Sequence, residues 1–80
     1  MLEVWDIPIK ILESFELAVK LEIVNIGEVL VLVLRHREDW KGLSYSFLNL
    51  LKLKEKQYPQ GVSIIRINLG AYIKTTGKTE

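Results

Sequence analysis

The chain has 80 residues, carries a formal net charge of +1, is 49% hydrophobic and contains no cysteine. One domain of this length buries only about 60–65% of the surface its unfolded form exposes. With no cysteine, disulfides, cysteine-ligated zinc and thiol redox chemistry are all excluded, so apolar packing or a partner must supply the stability.

Glu3, Asp6 and Lys10 break any signal-peptide core, and no uncharged stretch approaches the roughly 20 residues of a membrane span. The expectation is a cytoplasmic protein without membrane contact. Few Asn and Gln beside much Ile, Leu, Val, Lys and Glu is a composition that suits a thermophile. Charge divides unevenly: residues 1–34 set Lys10 and Lys20 against six carboxylates, giving −4, and residues 35–80 set nine Lys and Arg against four, giving +5. Such asymmetry points to an anionic partner or to self-association between unlike surfaces.

Taken in chain order, Glu3 to Leu12 places Trp5, Ile7, Ile9 and Ile11 on one parity, which predicts a half-buried strand, and Pro8 assigns it to a sheet edge. Phe15, Leu17, Val19, Leu21 and Ile23 alternate with Glu16, Ala18, Lys20, Glu22 and Val24, which predicts a second strand. Asn25-Ile26-Gly27 reads as a three-residue hairpin loop leading into a third strand that ends at Leu34. In that register Ile23 faces Val29, Leu21 faces Val31 and Val19 faces Val33, so the odd-numbered face is core. Leu30, Leu32 and Leu34 then form a second apolar face that needs a cover, and the expected cover is another copy of the chain in a homo-oligomer, with a dimer favoured.

Arg35 to Gly42 reads as a polar turn. Beyond it Leu43, Phe47, Leu50, Leu51 and Tyr58 recur at helical spacing, with Ser44 or Asp39 as the cap and Pro59 with Gly61 as the stop. Val62 to Leu69, rich in β-branched residues, predicts a last strand that Gly70 bulges and Ala71 to Thr75 continue; Thr75 to Glu80 reads as a frayed tail. The expected fold is therefore α+β: one domain over residues 1–80, with a mainly antiparallel four- to five-stranded β-β-β-α-β sheet and one helix on one face.

Motifs with a defined chemistry are sparse. Thr76-Gly77-Lys78-Thr79 echoes the end of a phosphate-binding loop, but Tyr72 stands where its first glycine is required and no helix can follow. His36 with Arg37, Glu38 and Asp39 is too cationic and too sparse for a metal, and none of Ser14, Ser44, Ser46 or Ser63 sits in a nucleophile elbow. Glu16 and Glu22, about 20 Å apart on a strand, are too distant for joint acid–base work. The expectation is no enzyme, no cofactor, no metal and no identifiable small-molecule substrate. The functional candidate is instead diffuse: Arg35, Arg37, Trp40, Lys41 and Tyr45, followed by Lys52 and Lys56, combine cations for phosphates with rings for bases. That combination suits single-stranded nucleic acid as an alternative partner.

Overall fold

A computed structural model describes residues 7–78. It consists of four helices in the order α1 (Ile9–Lys20), α2 (Ile26–Arg35), α3 (Trp40–Lys54) and α4 (Pro59–Lys78), with no strand among the described residues. The expected α+β fold is thereby corrected to an all-helical one. The strand of Phe15 to Val24 lies mostly in α1, the third strand is α2, and Val62 to Thr75 lies within α4. The edge strand falls partly outside the described residues, and its remainder leads into α1. Of the expected elements only the helix beyond the polar turn is present, as α3.

The physical reason lies in local hydrogen bonding and in the spacing of the residues that reach the core. Asn25 does not turn a hairpin. Its side chain accepts the Glu28 backbone N–H at 2.8 Å, and the Glu28 carboxylate accepts the Asn25 N–H at 3.0 Å, a reciprocal capping box that starts α2. Upstream, α1 ends on a Schellman turn: the Glu22 N–H donates to the Val19 carbonyl and the Ile23 N–H to the Ala18 carbonyl, with Glu22 left-handed at φ 63°. Pro59 opens α4 at the position where a missing N–H costs least. Asp39 caps α3 by accepting the Gly42 N–H at 2.9 Å. Gly42 suits this spot, because a Cβ there would collide with the capping carboxylate and crowd His36 Nδ1.

Burial follows the helical period. Ile11, Phe15 and Ala18 of α1, Val29, Leu32 and Val33 of α2, Leu43, Phe47 and Leu51 of α3, and Val62, Ile65 and Leu69 of α4 form one core. Phe15 and Phe47 meet edge to face at its centre, 4.8 Å between ring centroids. Helix α4 packs along α1 and α3, and α2 packs along α3. Two buried serines bond the preceding turn of their own helices, Ser14 to the Lys10 carbonyl and Ser44 to the Trp40 carbonyl. Asn68 of α4 donates to Ser14 Oγ at 2.9 Å, so the polar contact between α1 and α4 is satisfied. At the surface, Lys54 meets Glu28 at 3.2 Å across α3 and α2, and Arg66 grips both oxygens of Glu55 at 3.1 and 3.3 Å. The result is thin, 32 × 29 × 17 Å across the Cα atoms, so the helices keep broad outward faces.

Candidate interaction surface

Helix α2 is apolar almost all the way round. Of the ten residues Ile26 to Arg35, only Gly27, Glu28 and Arg35 are not large aliphatics, and Glu28 is turned toward Lys54. Three aliphatics go inward; Ile26, Leu30, Val31 and Leu34 do not. The face expected from strand register is split by the helix: Leu32 is 9% exposed, whereas Leu30 and Leu34 are 39% and 55% exposed. Two residues of separation is nearly opposite on a helix and the same side on a strand. Leu30 and Leu34 instead share their side with Ile26, one turn earlier, and Val31 adjoins them.

Alongside Ile26 runs an apolar groove of about 360 Å³ between α1 and α2, walled by Leu12, Phe15, Val19, Ile26 and Val29 and rimmed by Glu16 and Lys20. Leu12, Val19, Ile26 and Val31 were not among the residues expected at an interface. For Ile26 and Val31 the signal that would have found them is the Asn25-x-x-Glu28 pair, since a capping box at that point makes the following aliphatics helical and places every fourth one on a common side. A second groove of about 380 Å³ lies at the other side of the α1–α2 corner, where Glu22, Asn25, Glu28 and Lys54 join apolar walls that include Ile23 and Val24. Its central charges, Glu28 and Lys54, already neutralise one another. The Asn25 N–H, with help from the Lys54 ammonium and against some desolvation, holds the Glu28 carboxyl below its ordinary value.

The basic candidates are brought together in part. Lys41, Tyr45 and Lys52 fall on one side of α3 by helical spacing, Asn49 lies between them, and Lys56 follows just past the helix end. Tyr45, Lys52 and Lys56 are exposed and Lys41 is half-buried. Arg35 and Arg37 are exposed at the α2–α3 turn, together with Glu38 and Asp39. Trp40 is half-buried and packs against the core.

A third constellation comes from the same corner. Ser46 Oγ lies 2.9 Å from His36 Nε2, and His36 Nδ1 lies 4.0 Å from Asp39 Oδ2. The order matches that of acyl-transfer triads, but the histidine–carboxylate distance exceeds a hydrogen bond and Asp39 is committed to capping α3. Neither groove above is lined by these residues. The contact fastens the end of α2 to α3.

Among the described residues no cluster of three or more His, Cys, Asp or Glu could hold a metal ion, and no helix is long and apolar enough to cross a membrane. Comparison of the chain with known protein families, with characterised proteins and with solved structures finds no match.

Proposed function

We propose that this protein is a self-associating interaction module whose contact surface is the outward side of α2 with the adjoining α1–α2 groove. One observation carries the reading: Ile26, Leu30, Val31 and Leu34 stay exposed on a ten-residue helix that has almost no polar side. Scattered exposed aliphatics are ordinary, but a contiguous set continuous with an apolar groove has the character of an interface. Sedimentation velocity at micromolar concentration tests this. The wild-type chain sediments as a dimer, Leu34→Lys shifts it to monomer with unchanged helicity, and Leu53→Lys, at an isolated site 82% exposed on α3, changes nothing. A wild-type monomer at that concentration overturns the reading.

A second reading, nucleic-acid binding, is favoured by the shared side of Lys41, Tyr45 and Lys52 on α3, with Lys56, Arg35 and Arg37 at its ends. An interface neutralising about four phosphates loses on the order of a hundredfold in affinity between 50 and 200 mM salt. Replacing Arg37, Lys41, Lys52 and Lys56 together by Ala abolishes such binding without unfolding the chain. Absence of binding to single- or double-stranded DNA or RNA at low salt rejects it.

A further inference from the structure

Helices α3 and α4 pack on one another and hold almost no negative charge between them. Residues 40–78 carry seven Lys and Arg against one carboxylate, Glu55. We infer that this basic half binds a single nucleic-acid strand laid along the outward side of α3, with Lys52 and Lys56 on phosphates and the Tyr45 ring on a base. This rests on the nucleic-acid reading and names its ligand and its contact.

The carboxylates that could cancel this side are engaged or lie at its far end. Glu55 is gripped by Arg66 of α4, and Glu28 of α2 is held by Lys54. At the α2–α3 turn Arg35 and Arg37 stand with Glu38 and Asp39, so that end is neutral and adds little field. Helix α3 itself has no Asp or Glu. By helical spacing Lys41, Tyr45, Asn49 and Lys52 share one side along about 16 Å, and Lys56 follows at its end. Tyr45 is 49% exposed, and Asn49, Lys52 and Lys56 are exposed, so a ring and an amide stand in solvent among cations. Cations for the backbone with an aromatic ring for a base are what a single-strand site requires. A duplex fits this side less well. Its major groove, about 12 Å wide, admits one projecting helix, whereas α3 is flanked by α2 and α4. Lys54 at the end of α3 meets Glu28 at the start of α2, so these helices run antiparallel side by side. They do not cross as in a helix-turn-helix, which lifts its second helix into the groove.

Fluorescence anisotropy with the full chain tests this on three probes: a labelled oligothymidine of about 12 nucleotides, an abasic strand of the same length and the matched duplex. At low salt the oligothymidine binds, the duplex binds more weakly, and the abasic strand loses about 5- to 150-fold, as for one stacked base. Tyr45→Ala lowers affinity for oligothymidine by a similar factor and leaves the abasic strand unaffected, whereas Tyr45→Phe keeps the ring and the binding. Lys52→Ala and Lys56→Ala each reduce the slope of log affinity against log salt by about 0.7, and Arg37→Ala leaves it unchanged. Circular dichroism shows unchanged helicity in these variants of exposed residues. Equal binding of duplex and single strand, of abasic strand and oligothymidine, or of Tyr45→Ala and the wild type overturns the single-strand contact while nucleic-acid binding stands. No binding to any of the three probes overturns both.

Discussion

Leu30, Leu32 and Leu34 give the sharpest contrast that this structure offers, because a strand predicts one behaviour for all three and the helix predicts two. Leu→Ala removes three carbons, about 2.4 kcal/mol of transfer free energy when the side chain is fully buried. Leu32, 9% exposed, forfeits nearly all of that and leaves a cavity beside Val29 and Val33, so Leu32→Ala costs about 3 kcal/mol. Leu34, 55% exposed, forfeits less than half and leaves no enclosed void, so Leu34→Ala costs about 1 kcal/mol, with Leu30→Ala slightly more. Urea denaturation at two protein concentrations separates the fold from the interface: the Leu32 penalty is independent of concentration, whereas any dimer contribution of Leu30 and Leu34 grows with it. Equal penalties for all three leucines would refute the helical assignment of α2.

Other substitutions test the turns and the spacing of the bundle. Gly70 has open space where a Cβ would stand, so Gly70→Ala stabilises α4 by about 1 kcal/mol in thermal or urea melts; Gly61→Ala, whose Cβ would come 2.7 Å from the buried Ile23 Cδ1, instead destabilises by about 1 kcal/mol. Glu22→Gly relieves the left-handed residue of the Schellman turn and raises chemical stability by about 0.5 kcal/mol after the greater freedom of glycine in the unfolded chain is subtracted. Since Glu28 has a depressed carboxyl pKa in the fold, its contribution is fully present above the unfolded carboxylate value and is lost as pH falls through the folded one. Acid titration therefore shows a stability decline below about pH 4 that is shallower in Glu28→Gln, and identical slopes would contradict the capping-box account.

What was legible in the sequence was the helix beyond the polar turn. Leu43, Phe47 and Leu51 alone would fit an alternating pattern as well, but Leu50 beside Leu51 and Tyr58 beyond them favour a helical period, and Asp39 was recognisable as a cap. In α1 the inward residues Ile11, Phe15 and Ala18 sit at helical intervals, but Leu17, Val19 and Leu21 also place apolar groups on every odd position, so a period of two fits equally well. Ser14 is buried in α1 because its hydroxyl donates to the Lys10 carbonyl and accepts from Asn68, a partner 54 residues away that no local pattern reveals. In α2 and α4 many β-branched residues favour strands in isolation, and tertiary packing overrides that preference. The interface candidates inherited the same ambiguity. Leu30 and Leu34 remained on an outward side because a separation of four is even on a strand and nearly one turn on a helix, while Leu32 did not. Lys41, Tyr45 and Lys52 share a side of α3, where the period was read correctly, while Trp40 is half-buried against the core.

The central claim, that two copies meet through the outward side of α2, is tested most directly by an isotope-filtered NOE experiment on a mixture of labelled and unlabelled chains. Intermolecular contacts among the methyls of Ile26, Leu30, Val31 and Leu34 are expected. Intermolecular contacts confined to Ile64 and Ile67, or none at a concentration where the protein is dimeric, would contradict it.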